Sequence, residues 1–451
     1  MTEGKWIWVE GGSPSENTVV CFRKGFEVNS GSDVSISISA DTRYVLYING
    51  NEIGRGPIRS TRDRWFYDEY DISADVNPGL NQIAVKVWDY GMSTYQSIAN
   101  KGGLIFTVSE NGRNLVASDE TVRAKIDKGW ISRTVKRNVN LGFMEHYDAS
   151  RFERDWNRTD YDDSDWNFAE ETEDNWGELS KRPVKFLDCI KALPQNVVSV
   201  METNRKGNVV SVNTRNSLFP GRRDANATIM TAYFGAVINV PEDCSGRIEF
   251  PTNKWNGMHG DFRVDGKLYK VSRGDRKNQV KLNAGDNFFI MELSAKFDDL
   301  FVHIEYEFDC EVRFSKFFTV GPVQQIPNET DGFKNIFGGL LDYDGTGSAT
   351  KSDKCIFDSL SIKELKECGY PFSYIEDEYV YHDEYIYSLS RNMGTARDIP
   401  VMSFHNNILN GNSLSTILEK PIKGTDSTII LDFNDMFLGS IGFTLKASAG
   451  Q

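Results

Sequence analysis

Apolar and polar positions alternate with a period of two over much of the first third of the chain. Val34-Ser35-Ile36-Ser37-Ile38-Ser39 alternates strictly, which places Val34, Ile36 and Ile38 on one face of a strand. Arg43 to Ile48 continues in β-favouring residues and stops at Asn49-Gly50, a dipeptide that accepts positive φ and marks a hairpin. Asn77-Pro78-Gly79-Leu80-Asn81 reads as a turn feeding a strand from Gln82 to Trp88. Leu104–Val108 and Leu115–Ala117 flank Asn111-Gly112, a second hairpin. Closely spaced strands without a long amphipathic helix predict an all-β fold of tandem, jelly-roll-like antiparallel sandwiches with few short helices.

The pattern then repeats in weaker form. Asp261 to Gly266 mirrors the strand that ends at Asn49-Gly50, and Asn283-Ala284-Gly285-Asp286-Asn287 mirrors Asn77 to Asn81. Each turn precedes a long apolar strand, Gln82–Trp88 in one case and Phe288–Leu293 in the other. Between the two copies lies DWNRTDYDDSDWNFAEETEDNW, a polar connector whose tryptophans are expected to pack back on the first sandwich while its acids stay wet. Residues 1–185 are therefore read as a sandwich with its connector, and 186–420 as a second sandwich with an irregular insert. Residues 421–451 are read as terminal strands that either complete the second sandwich or open a third. Ser361 to Cys368 is the best helix candidate, and Ile375 to Tyr387 reads as a strand with a hydrated face.

Composition narrows the function. The net charge of −14 disfavours nucleic acid as a partner. No run approaches the roughly 20 apolar residues of a membrane helix, and the first residues show no signal peptide. Cys21, Cys189, Cys244, Cys310, Cys355 and Cys368 are scattered without a C-x-x-C pair, so six reduced thiols in the cytoplasm are expected. The aromatic content of 12% suits both sandwich cores and the apolar faces of sugars.

Three stretches resemble bacterial α-L-rhamnosidases of glycoside hydrolase family 78. SISADTRYVLYINGNEIGRGPIR with YDEYDISADVNPGLNQIAVKVWDYG is similar to the family's N-terminal sandwich. NLGFMEHYDASRFERDWNRTDYDDSDW resembles its G-x-x-E-x-Y-D-A stretch and D-D-S-x-W connector. STIILDFNDMFLGSIGFTLKASAG resembles the segment that opens the large sandwich before the catalytic barrel. The resemblance implies hydrolysis of terminal α-L-rhamnosides by two carboxyls in a downstream α/α barrel, of which this sequence shows no counterpart. No catalytic residue is therefore assigned, and the chain alone is expected to be inactive.

The resemblance implies an accessory, scaffolding front half with rhamnose-containing glycans and a separate α/α-barrel domain as partners. A free-standing, lectin-like carbohydrate-binding protein is the alternative. Glu145, Tyr147 and Asp148 lie in the family-like motif; they could hydrogen-bond sugar hydroxyls above Trp88 or Tyr90, or simply tie strands together. No cofactor is expected. Asp342 to Ser348 with Asp353 partly fits a calcium loop, with Thr at the fifth position and Asp at the last, and reads first as an ordinary turn. The five histidines are isolated in sequence and are read as solvated or core residues.

Overall fold

The computed structural model describes residues 3–94 except 62, 97–134 except 99, 142–187 except 174–175, and 192–220 except 206–207. It further describes residues 229–326 except 251–259, 272–276 and 296–300, and then 354–382, 393–399 and 425–436. Among the described residues strands dominate, and the helices are short. The chain divides into one unit of Met1–Lys185 with Val209–Ile386 and another of Phe186–Asn208 with Tyr387–Gln451.

The first unit holds two sandwiches. In the first, one sheet runs in the order Glu170–Glu171, Ile7–Trp8, Gly103–Glu110, Val34–Asp41, Arg64–Asp71, Glu178–Lys181. The facing sheet runs Asn167–Phe168, Arg123–Ile126, Thr18–Val28, Gly79–Asp89, Arg43–Ile48, Asn51–Gly56. Val34, Ile36 and Ile38 point inward as their alternation predicts, and meet Val20, Phe22, Leu46, Val85, Val87 and Phe106 in the core. Asn49-Gly50 and Asn111-Gly112 turn with φ of 52° and 87°, and of 49° and 76°, the left-handed conformation a two-residue hairpin requires.

The second sandwich repeats the order of the central strands of both sheets, without a counterpart to Glu178–Lys181 among the described residues. One sheet runs Lys277–Leu282, Cys244–Glu249, Phe301–Phe308, Asn208–Asn213, Val380–Tyr381. The other runs Lys267–Tyr269, Phe262–Val264, Gly285–Ala295, Ile229–Val240, Phe318–Ile326, Phe372–Tyr374. The two turns that look alike in sequence use one device. Asn81 accepts from Asn77 N at 2.8 Å and donates to Asn77 O at 2.7 Å and Gly79 O at 2.9 Å. Asn287 accepts from Asn283 N at 2.8 Å and donates to Asn283 O at 2.8 Å and Gly285 O at 3.2 Å. Both asparagines are fully buried. The hairpin residue locks the next position in each copy: Asn49 Oδ1 accepts from Gln82 N, and Asp265 Oδ1 from Phe288 N.

The connector folds as its composition predicts. Trp156 and Trp166 pack with Phe152, Cys21 and Ala84 on the outer face of the first sandwich, and Trp176 stacks on Trp6 at 4.1 Å. Asp155, Asp160, Asp162 and Asp165 are exposed, whereas Asp163 is drawn to the buried Arg23 at 2.7 Å.

In the second unit, Asn196–Arg205 lies between Met393–Ile399 and Asp426–Asp432 in a three-stranded antiparallel sheet. One of the terminal strands expected in 421–451 is therefore present as Asp426–Asp432, while 437–451 lie outside the described residues.

Two expectations are corrected. The cysteines are not all reduced: Cys244 pairs with Cys310 and Cys355 with Cys368, at Cα–Cα separations of 6.0 and 5.9 Å. Strand pairing brings together cysteines 66 residues apart, which no spacing rule anticipates. Cys21 is a free, buried thiol, and Cys189 lies outside the described residues. The cytoplasmic reading thus loses its thiol argument. Among the described residues 375–382 the expected strand is short: Ile375 is buried, Asp377–Tyr379 forms a 3₁₀ turn, and Val380–Tyr381 pairs with Asn208–Asn213, while 383–387 lie outside the described residues.

Candidate carbohydrate-contact site

The strand Gly79–Asp89 carries Trp88 to the end of the first sandwich, and Tyr90 follows directly. Trp88 is half-buried and meets Tyr90 edge-on at 4.6 Å and Trp130 at 4.9 Å. Asn17 organises this cluster. It is fully buried, has a φ of 59°, and its Oδ1 accepts from the indole N–H groups of Trp88 at 2.7 Å and Trp130 at 3.0 Å. Its amide donates in turn to Ser132 O at 2.7 Å and Thr134 Oγ1 at 3.2 Å. Both indoles are thereby held in one orientation, with their polar edges turned inward.

The stretch 145–148 joins the same place through a short bridge. Trp130 pairs with Tyr147, Ile131 N donates to His146 O at 3.0 Å, and Asp148 N donates to Gly129 O at 2.8 Å. Tyr147 is 40% exposed, with the Lys86 ammonium 5.1 Å from its ring centroid. Lys86 also pairs with the buried Asp127 at 2.9 Å. Partial burial pushes the Tyr147 phenol up to about 12, against the pull of the Lys86 charge. Asp148 closes a tight turn, accepting from Ser150 N at 3.0 Å and Ser150 Oγ at 2.7 Å, and these bonds hold its carboxyl below the usual range. Glu145 is exposed.

Trp88, Tyr90, Tyr147 and Asp148 thus share one rim, with Glu145 on the same loop. Tyr90 is buried, its ring lies against Gly142, and burial raises its phenol while Arg43 opposes. The exposed ring is Tyr147, with the ammonium of Lys86 beside it, an apolar face next to a hydrogen-bond donor. Asn17, Lys86, Asp127 and Trp130 complete the cluster and were not singled out from sequence; nothing in their local pattern marks them. The neighbouring Arg133 pairs with Glu378 and lies 5.9 Å from the Tyr379 ring centroid, so the loop 130–134 is braced by the second sandwich.

A second surface feature lies elsewhere on the first sandwich. An open groove of about 800 Å³ is lined by residues including Glu10, Glu120, Arg123, Asp165 and Phe168. The Arg123 guanidinium lies 3.9 Å from the centroid of the half-exposed Phe168 ring and donates to Trp166 O at 2.8 Å. Among the described residues, the one group with metal-ligand chemistry is Cys244, Asp309 and Cys310, whose two sulfurs are paired with each other. The calcium-like loop 342–353 lies outside the described residues.

Residues 31–188 match the α-L-rhamnosidase N-terminal domain, and residues 208–336 match α-L-rhamnosidase domain D2. Together the two matches cover more than half of the chain, in order. The chain thus carries the N-terminal and D2 domains of α-L-rhamnosidases, in that order. An α-L-rhamnosidase of Formosa agariphila is 29% identical over 202 residues, which is 39% of this chain and 20% of that protein. A family 78 rhamnosidase of Bacillus sp. GL1 superposes with a TM-score of 0.78 at 23% identity, covering 96% of this chain and 46% of that one. This second likeness shows the fold. A Pleurotus ostreatus lectin superposes with a TM-score of only 0.27, which carries no argument. The rhamnosidase region spans less than half the length of the relatives it matches. No helix among its described residues is long and apolar enough to cross a membrane.

Proposed function

We propose that this rhamnosidase region is a non-catalytic scaffold that serves hydrolysis of terminal α-L-rhamnosides by a separate α/α-barrel domain. The observation that carries the reading is the superposition of nearly the whole chain on less than half of the Bacillus rhamnosidase. Inverting chemistry needs two carboxyls roughly 6.5–9.5 Å apart with room for a water. In this reading they belong to the barrel. The domain division is then a first sandwich with its connector over residues 1–185, a second with its insert within 186–420, and a further sheet in which Asp426–Asp432 of 421–451 joins the strands Asn196–Arg205 and Met393–Ile399. Cytoplasmic residence is part of the reading, and cell fractionation tests it.

Sugar contact is assigned to the rim of Trp88, Tyr90, Glu145, Tyr147 and Asp148. Tyr147 offers the ring face, Glu145 and Asp148 offer acceptors for hydroxyls, and Trp88 and Tyr90 form the floor. The groove beside Arg123 and Phe168 favours a second reading, a free-standing lectin-like protein, since it pairs an exposed ring with a guanidinium and carboxylates. Two measurements separate these. The purified chain is expected to release no product from an aryl rhamnoside, and to gain turnover when a family 78 barrel is supplied in trans. Titration calorimetry with L-rhamnose reports the contact, with and without calcium. Turnover by the chain alone would sink the scaffold reading; binding without any gain from the barrel would favour the lectin.

A further inference from the structure

We propose that the Cys355–Cys368 disulfide is a redox-operated latch holding a small helical cover on the outer face of the second sandwich. The outer face of a two-layer sandwich is ordinarily wet and polar. Here the sheet built on Ile229–Val240, Gly285–Ala295 and Phe318–Ile326 is apolar on both sides. One side lines the core, and the other presents Tyr233, Phe288, Ile290, Phe318 and Val320. These stay dry because the segment 354–372 lies over them, burying Ile356, Phe357 and Leu365 and packing Ile362, Tyr370 and Phe372.

The cover has little intrinsic stability. Its two helices, Lys354–Phe357 and Ile362–Glu367, have four and six residues, too short to persist unaided. The second helix is capped, with Glu364 N donating to Ser361 Oγ at 3.3 Å and Leu360 N to Glu364 Oε2 at 2.8 Å. Its contacts with the sheet are mostly apolar, joined by Arg263, which pairs with Asp358 at 3.0 Å and lies 4.7 Å from the Phe357 ring centroid, and by Gly321 N, which donates to Pro371 O at 2.8 Å. The disulfide ties the first helix to the end of the second across a sequence separation of 13. It is also within reach of solvent: Cys355 is exposed and Cys368 half-buried, whereas Cys244 of the other pair is buried.

The switching step is thiol–disulfide exchange with a dithiol reductant. One reductant thiolate attacks a cysteine sulfur, the S–S bond breaks, and the other cysteine leaves as a thiolate that takes a proton from water. The second reductant thiol, losing its proton, displaces the first cysteine and closes the reductant's own disulfide. Two electrons pass to the protein, giving two thiols. Releasing a closed loop of this length is expected to raise the opening of the cover about a hundredfold. The opened form exposes an aromatic face.

Hydrogen exchange of residues 354–372, read by mass spectrometry on the full chain, tests this with and without dithiothreitol. Cys244→Ser/Cys310→Ser isolates the latch, and Cys355→Ser mimics its reduced state. The expected result is a large acceleration on reduction, reproduced by Cys355→Ser without reductant and accompanied by increased binding of an apolar dye. The proposal is overturned if exchange of 354–372 changes less than twofold on reduction. It is equally overturned if Cys355 and Cys368 alkylate fully in the air-oxidised chain before any reductant is added. Should Cys355→Ser fail to fold, the reductant titration of the wild-type chain decides alone.

Discussion

Replacing Arg23 with methionine is expected to lift the connector off the first sandwich. Arg23 sits on the strand Thr18–Val28 with its side chain 1% exposed. All five of its N–H donors are used. Nε donates to Asp163 at 2.7 Å, and one terminal nitrogen donates to Trp156 O and to Arg158 O at 3.0 Å. The other donates to Gln82 Oε1 and Tyr161 O, both at 3.2 Å. The guanidinium also lies 5.0 Å from the Tyr161 ring centroid. One side chain thus gathers three carbonyls and a carboxylate from residues 156–163, a segment with no regular hydrogen-bond ladder of its own.

Methionine keeps the length and apolar stem but has no donor. Three carbonyls and an amide oxygen would lose their partner, at about 1 kcal/mol or more for each that stays buried, and Asp163 would lose its counter-ion. Part of this is relieved because the connector can swing into water, which bounds the loss at about 3–5 kcal/mol, the usual cost of breaking a buried pair from one side. For a domain of this size that lowers Tm by roughly 6–20 °C. Arg23→Lys keeps the charge toward Asp163 and at most three donors, so it is expected to fall between wild type and Arg23→Met. Urea unfolding followed by tryptophan emission is the assay, because Trp156 and Trp166 of the connector pack against Cys21 and Ala84 of the sandwich and should shift to the red as it lifts. A loss below about 1 kcal/mol, or unchanged emission in the folded variant, would refute the reasoning.

Three further outcomes are expected. Asn81→Ala and Asn287→Ala should each cost about 2–3 kcal/mol, but in different sandwiches, as segment-resolved hydrogen exchange would show. His303, buried and 2.7 Å from Ser211 Oγ, has its imidazole pushed down by burial to about 3, against an ordinary value of 6.5. Below about pH 6.5 the unfolded chain takes up a proton that the folded chain refuses, so stability is intact above 6.5 and falls toward pH 3 by up to about 1.4 kcal/mol per pH unit. Urea midpoints at pH 7 and 5 should differ for wild type and converge in His303→Gln. Tyr147→Ala should weaken L-rhamnose binding at least tenfold in calorimetry while leaving the circular dichroism unchanged, whereas Trp88→Ala should also loosen the fold through Asn17.

What was legible in the sequence is what rests on short-range chemistry. The alternation of Val34, Ile36 and Ile38 fixes a face, and Asn49-Gly50 fixes a turn, because each depends on neighbours a few positions apart. Trp156, Trp166 and Trp176 announced that the connector would pack, since three indoles in an acidic stretch have nowhere dry to go but back. Arg23 gave no such signal: its partners lie about 60 and 130–140 residues away and are mostly backbone carbonyls, which every sequence possesses. The pairing of Cys244 with Cys310 was hidden for the same reason. The apolar outer face was hidden too. Phe288 to Leu293 reads as a run without alternation, which says that both faces are covered but not by what.

The duplication separates what the fold needs from what the rim offers. Asn81 and Asn287 hold equivalent turns, and Asn49 and Asp265 hold equivalent hairpins, so these positions serve the sandwich as such. Counting forward from each turn, seven residues past Asn81 is Trp88, while seven past Asn287 is Ser294. The two strands are of equal length and stand at the same place in their sheets, so the sandwich tolerates a serine where the first copy keeps an indole. The strand itself does not need Trp88; its indole instead serves the local cluster that Asn17 and Trp130 build at this rim. In the first copy this position is secured by a hydrogen bond to Asn17 and an edge-on contact with Trp130, so what distinguishes the two sandwiches here is the rim and not the strand beneath it.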